Sequence, residues 1–432
     1  MSGKLYTRTP HPVVGGTSLV TTRLSRRSRS RSAARVWIFS GVGALGLVAV
    51  LVVSALTIAG GCARKLPATS TAPVAVSSLA ASAPATAVAS ASAASAKRAP
   101  ATASASGPAS ASVAGSSGVV EIGWVGDTTP GSKYGSPPKN GRALFEDLRK
   151  QLQAPDLMVG NLEGTFGDGG KSKSADKNTY SFQAPPKNAE SLAWAGFDVM
   201  SLANNHAWDY LEPGLSATRK ALADNEIADV GLPGQITIRE ANGVKVAFVA
   251  FSPYRWNAPI SNIPAAQKLV RKAKQQSDVV IVLIHAGAEG ADKTHTPKGA
   301  EKAYGEFRGD PRAFSHAMID AGASMVLGSG PHVIRGIERY NGKLIAYSLG
   351  NFAGWGNFGQ GGNLSLSGLL TVRVDKNGEI VGGRWLSLKL ADPGVPAVDK
   401  QNTSGKLVEK LSASDFSDTF EMDSNGNFGP GK

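Results

Sequence analysis

Five apolar runs in this 432-residue chain each end in a side chain that can bind a metal or move a proton. They are Asp127 in GWVGD, Glu163 in VGNLE, Asn205 and His206 in LANNH, His285 in VLIH, and His332 in VLGSGPH. Carboxylate, imidazole and amide donors together suit a divalent ion such as Mn, Fe or Zn, and a bridging carboxylate can hold two. Each residue alone has an ordinary structural reading: Asp127 as a turn cap, Glu163 as an exposed strand end, Asn205 as a left-handed turn residue, His285 as a core imidazole. The pattern gains its weight from position, because ligands of layered α/β proteins bind beyond the carboxyl ends of strands. The remaining histidines fall outside it: His11 is in the N-terminal tail, His295 in a loop and His316 in a helix.

The elements that must position these residues follow from hydrophobic periodicity. Short apolar runs alternate with amphipathic segments from Val119 onward. Strands are expected over 119–127, 156–164, 197–205, 244–252, 278–287 and 324–330. Helices are expected over 143–153, 187–196, 213–225, 265–276 and 311–322. Two hairpins follow, turning at Asn341-Gly342 and Asn377-Gly378. This order predicts an α/β domain over 119–398, with two sheets face to face and helices outside. Residues 399–432, polar and Gly-rich, read as a flexible C-terminal tail, and Asn204 reads as a turn residue.

Charge separates this domain from what precedes it. Of the 46 Lys and Arg residues, 12 lie before the first acidic residue, Glu121, leaving 34 basic against 33 acidic side chains beyond it. The formal charge of +13 therefore belongs to the tail and does not mark a nucleic-acid-binding domain. Residues 1–35 are Arg- and Ser-rich and read as a cytoplasmic tail. Residues 36–61 carry no charge and are long enough to cross a bilayer, so the basic flank places the rest of the chain outside the cytoplasm. Cys62, the single cysteine, follows TIAGG and resembles a lipobox cysteine. The tether is then either a lipidated Cys62 or an uncleaved signal anchor. Residues 62–118, mostly Ala, Ser, Thr, Pro, Val and Gly, form a spacer that cannot bury a core.

Several stretches between Val119 and Val398 resemble a known family: GDTTPG, DLMVGNLEG, GFDVMSLANNHAWDYLEPGLSATRKAL, HAGAEG and DAGASMVLGSGPHVIRGIERYNGKLIAYSLGNF. The chain resembles the bacterial capsule-synthesis CapA proteins (poly-γ-glutamate synthesis, PGA_cap type), relatives of the calcineurin-type metallophosphoesterases. The resemblance implies a four-layer α-β-β-α sandwich. It implies that Asp127 and His332 serve a first metal, Asn205 and His285 a second, and that Glu163 bridges them. His206 becomes a general acid or a stabiliser of transition-state charge, with Asp209 orienting it. Glu289 is implied as a base or outer partner, and Asn161 as a support for Glu163. The chain departs from the pattern at Thr129 and Gly330, where metallophosphoesterases carry histidines, and at Ala286, where a Trp follows the His in a variant of the family.

Two functions are then open. One is a tethered extracytoplasmic hydrolase or transferase, metal-dependent, acting on an anionic polymer such as poly-γ-glutamate. The other is a non-enzymatic export or anchoring factor that works with capsule-synthesis membrane subunits and keeps a degenerate metal site.

Overall fold

The computed structural model describes residues 118–174, 180–359 and 361–430. The expected basic tail, the apolar segment 36–61, Cys62 and all of the spacer but Gly118 lie outside the described residues. Among the described residues no helix is long and apolar enough to cross a membrane. Strands are numbered β1 to β19 and α-helices α1 to α6 in chain order.

Alternation along the strands builds two sheets. In β1 (Val119–Thr129), Val120, Ile122 and Trp124 face one way and Val125 the other. In β8 (Val244–Phe251), Val244, Val246 and Phe248 oppose Ala247, Val249 and Phe251 in the same manner. Strands buried on both faces read as near-continuous apolar runs. The first sheet contains β1, β2 (Leu157–Leu162), β5 (Phe197–Ser201) and β6 (Ala228–Val230), all parallel. On the other side of β1 it continues antiparallel through β16 (Leu366–Asp375), β17 (Ile380–Ala391) and β18 (Val395–Val398). The second sheet runs β13 (Ile337–Tyr340), β14 (Lys343–Ala346), β12 (Met325–Ser329), β9 (Val279–His285), β8 and β7 (Thr237–Ala241).

The inner faces share one core, in which Ile122, Trp124 and Val159 of the first sheet meet Phe248, Ile281 and Leu327 of the second. The Trp124 indole N–H donates to the Gly328 carbonyl at 3.2 Å and ties the sheets together. The outer face of the first sheet is covered by α2 (Ala189–Ala195) and α3 (Leu211–Ala223), through Leu192, Leu215 and Leu222. The outer face of the second is covered by α4 (Ile263–Lys274) and α5 (Pro311–Asp320), through Val270, Phe314 and Met318. Asn262 and Asp310 cap these last two helices, accepting from the Ala265 and Ala313 amides, with a proline in each first turn. The result is the four-layer α-β-β-α order, and both hairpins turn where expected.

Two expectations are corrected. The helix expected over 143–153 is a series of short turns, Lys139–Leu144 and Glu146–Leu148 in 3-10 geometry and α1 (Arg149–Leu152). Leu144, Leu148 and Leu152 are all buried, so the helical spacing is used while the hydrogen-bond ladder breaks at Phe145 and Leu148. The C-terminal segment is not loose. Helix α6 (Thr403–Asp415) buries Val408 and Leu411 against the inter-sheet core, and β19 (Asn427–Phe428) pairs with β17. Ser404 accepts from the buried Trp385 indole at 3.2 Å, and Ser412 accepts from the Ile337 amide at 2.8 Å. The few apolar residues here are widely spaced, so composition reads as tail, yet each finds a place on an existing core.

Candidate metal centre

Strands β1, β2 and β5 run parallel, as do β8, β9 and β12, and Asp127, Glu163, His285 and His332 gather at or just past their carboxyl ends, with Asn205 and His206 on the turn that follows β5. A β-bulge in β1 shifts register between Val125 and Asp127 and sets the aspartate's aim. Gly126 is required there, because a Cβ would lie 1.9 Å from the Gly350 carbonyl oxygen. Gly350 belongs to the loop that leads into β15 (Asn351–Gly354), which pairs with the end of β1.

Asp127 and Glu163 are fully buried, and His285 is nearly so. One ligand atom from each of these three lies within 4.8 Å of the others. Asp127 Oδ1 accepts from the Asn161 amide at 2.7 Å and lies 3.8 Å from His285 Nδ1, while Oδ2 is 3.1 Å from His332 Nδ1. Glu163 Oε1 is 3.6 Å from His332 Nε2 and 3.9 Å from His285 Nε2. Both Glu163 oxygens, His285 Nε2 and Asn205 Oδ1 are buried without a hydrogen-bond partner among the described residues. A buried carboxylate with both oxygens unpartnered is costly in a protein interior unless something positive meets it. These donors therefore fit a divalent ion.

Electrostatics agree with that chemistry. Burial pushes the Glu163 carboxyl well above the ordinary carboxylate range, and Asp127, Glu289 and Asp209 add to it against the pull of His332. Burial drives His285 down to about 3, leaving a neutral imidazole of the kind that ligates metals. Burial also opposes charge on His332, but Glu163, Asp127 and Glu289 outweigh it and hold its pKa well above the usual value. Burial would raise Asp127 as well, yet the hydrogen bond and charge of His332, with His285 and Asn161, bring it below its usual value.

A pH dependence follows. Metal ligands bind deprotonated, so uptake must displace protons held by Glu163 and His332, both of which keep them to higher pH than usual. Affinity for a divalent ion is expected to rise from pH 6 to pH 8, by about tenfold per pH unit for each proton displaced. Competition with a chelator of known affinity, corrected for its own titration, checks this. A flat profile would contradict it.

The other expected residues divide between this cluster and its rim. His206 Nδ1 lies 2.8 Å from Asp209 Oδ2, so the aspartate fixes the ring, and the Phe182 ring stands 4.4 Å from the imidazole. Asp209 is fully buried, accepts from the Phe182 amide at 2.6 Å and pairs with Lys173 at 2.7 Å. Asn205 offers its backbone carbonyl to Lys173 at 2.6 Å. Glu289 holds Arg308 at 2.9 Å and His332 Nε2 at 3.1 Å. Burial works to raise its pKa, but His332 and Arg308 bring it to about 2. His295 pairs with Asp415 and His316 stacks on Tyr340, both outside this cluster.

Asn204 is not a mere turn residue. It is fully buried, donates to Asn161 Oδ1 at 3.0 Å and to the Leu162 carbonyl at 2.8 Å, and accepts from the His206 amide at 3.0 Å. It thus links the strand end of Glu163 to the turn bearing His206. Asn204→Ala is expected to weaken metal binding by about 10–100-fold, the usual cost of removing a residue that orients a ligand, as measured by the same competition.

Sequence reading also passed over Asn351, Arg308 and Lys173. Asn351 Oδ1 meets His332 Nδ1 at 2.9 Å, and its signal was present, since YSLGNF places it just past an apolar run. Arg308 and Lys173 sit in Gly- and Lys-rich loops with no period, and nothing local marks them.

The departures have structural explanations. The Thr129 hydroxyl donates to the Glu163 carbonyl at 3.0 Å, so it holds the strand end that carries the glutamate. At Gly330, with φ +112°, a Cβ would lie 2.9 Å from the Ala286 amide nitrogen and 3.1 Å from the His285 ring. The backbone here has closed over the space a side chain would need.

The chain is 29% identical over 288 residues to the "PGA biosynthesis protein CapA" of Bacillus subtilis, covering 61% of this chain and 70% of that one. It is 30% identical over 237 residues to the "Capsule biosynthesis protein CapA" of Bacillus anthracis, covering 49% and 54%. Among solved structures it is similar to a putative 5'-nucleotidase from Staphylococcus aureus in complex with alpha-ketoglutarate, at 14% identity and TM-score 0.38, covering 68% of this chain and 58% of that one. It is also similar to a purple acid phosphatase from yellow lupin, at 10% identity and TM-score 0.33, covering 72% and 58%. The family model for bacterial capsule synthesis protein PGA_cap matches residues 121–354, more than half of the chain and every candidate ligand. The chain belongs to the PGA_cap family of bacterial capsule synthesis proteins.

Proposed function

We propose that the chain is a tethered extracytoplasmic hydrolase or transferase, dependent on a divalent metal and acting on an anionic polymer during capsule synthesis. One observation carries the reading: Glu163 is fully buried with both oxygens unpartnered among the described residues, and it faces His285 Nε2 at 3.9 Å. Asp127, Glu163 and His285 would hold the ion, with His332 and Asn205 as further ligands; Mn, Fe or Zn suits such donors. Bound there, the ion supplies Lewis acidity toward a substrate oxygen and activates water. His206, fixed by Asp209, gives a proton to the leaving group. Glu289, ionised down to about pH 2, is a weak base and instead positions His332. The family resemblance implies poly-γ-glutamate as the polymer; the uncharged segment 36–61 and the lipobox-like Cys62 offer the two alternatives for the tether.

A second reading, a non-enzymatic factor that exports or anchors polymer with capsule-synthesis membrane subunits, is favoured by Thr129 and Gly330, which supply no imidazole. Assays of the metal-loaded full chain on a phosphodiester and on a γ-glutamyl polymer separate the two. The enzyme reading expects turnover of one of them, lost on chelation and lowered about 10²–10⁴-fold by His206→Ala, the range for a general acid. Metal-loaded protein inert on both contradicts it and leaves the second reading.

A further inference from the structure

Beside the metal centre stands a polar aromatic wall that no step above uses. Tyr254, three residues past the carboxyl end of β8, stacks on Trp256 with centroids 5.4 Å apart and planes at 12°. Trp256 stacks in turn on Trp208, and its indole N–H donates to the Asn204 carbonyl at 3.0 Å. The wall therefore joins the turn that carries Asn205 and His206. At its other end the Arg308 guanidinium lies 5.8 Å from the Tyr254 ring centroid; its Nη2 pairs at 2.9 Å with Glu289, which reaches His332, and at 3.2 Å with Glu306, leaving Nε unused.

Two donors in this wall are left over. The Tyr254 hydroxyl and Arg308 Nε are both buried without a hydrogen-bond partner among the described residues, although the Arg308 side chain is only 5% exposed. Burial pushes the Tyr254 phenol above its usual pKa, so it keeps its proton and remains a donor. Unmatched buried donors are uncommon in native structures, and a guanidinium beside a phenol favours an acceptor that is itself charged.

We propose that Tyr254 and Arg308 form a subsite that binds an anionic oxygen group, carboxylate or phosphate, of the molecule presented to the metal centre. The subsite rests on the reading of that centre as one serving an anionic polymer, and it names the residues that hold the charge. Tyr254 donates its hydroxyl and Arg308 its free N–H, while Trp256 keeps the phenol ring in place.

The test is calorimetric titration of the metal-loaded full chain with inorganic phosphate and, separately, with glutarate. Tyr254→Phe removes the hydroxyl and retains the ring. It is expected to weaken binding of the preferred anion roughly 10- to 100-fold, the cost of one hydrogen bond to a charged group, with metal content unchanged. Tyr304→Phe, at an 84% exposed tyrosine, should leave affinity as in the wild type. Tighter phosphate binding identifies a phosphoryl group as the occupant, and tighter glutarate binding a carboxylate. Equal affinity in the wild type and Tyr254→Phe overturns the subsite, as does a wild type that binds neither anion. Metal content separates the two proposals: a metal-free wild type with Tyr254-dependent anion binding sinks the metal centre but keeps the subsite.

Discussion

Arg335→Ala is expected to destabilise the folded protein by about 3–5 kcal/mol, the range for leaving one partner of a buried ion pair alone. Arg335 is 1% exposed and makes a two-pronged pair with Glu301, at 2.7 and 2.8 Å. It also donates to the Lys293 carbonyl at 3.0 Å and the Ala288 carbonyl at 3.1 Å. Glu301 in turn accepts from the Ala288 amide at 2.9 Å. The pair thus pins the HAGAEG loop between His285 and Glu289. Its removal leaves a buried carboxylate and two loop carbonyls without their partner, so the same variant should also loosen the Glu289 contact to His332. Urea unfolding of the full chain, followed by tryptophan fluorescence, reads the effect. A loss below about 1 kcal/mol would mean the pair behaves like a surface one.

Glu163→Gln is expected to separate stability from metal binding. The amide keeps the shape of the side chain but removes the charge that a cation requires. Metal affinity should fall by more than the roughly 10–100-fold that loss of an orienting partner costs. In the presence of a chelator the variant should be at least as stable as the wild type, because Glu163 without metal is a desolvated carboxyl crowded by Asp127, Glu289 and Asp209. Such a trade is usual where function imposes unfavourable burial. Chelator competition and urea unfolding in chelator give the two numbers. Unchanged affinity would remove Glu163 from the ligand set.

Much of this was legible in the chain because strands and their ends are local features. The runs ending at Asp127, Glu163 and His285 announce both the strand and the polar residue at or near its end. The expectation of two sheets faced by helices needed only the alternation of apolar runs with amphipathic segments. What was not legible depends on distant contacts. Nothing near Asn204 shows that it reaches Asn161 and Leu162, more than 40 residues earlier in the chain. Arg308 and Lys173 matter through Glu289 and Asp209, across loops with no period. The C-terminal helix misled for the same reason, since Val408 and Leu411 are too few to signal a core but are enough to complete one. At Gly330 the sequence displayed a missing histidine, and only the backbone at φ +112° shows that the space itself is gone.

Asp127, Glu163 and His285 place three ligand atoms close enough to hold a divalent cation. Elemental analysis of the purified full chain beside Asp127→Ala tests it most directly. Bound divalent metal is expected in the wild type, removed by a chelator and restored by adding Mn, Fe or Zn back, and strongly depleted in the variant. A wild type that carries no more metal than Asp127→Ala, before and after reloading, would contradict it.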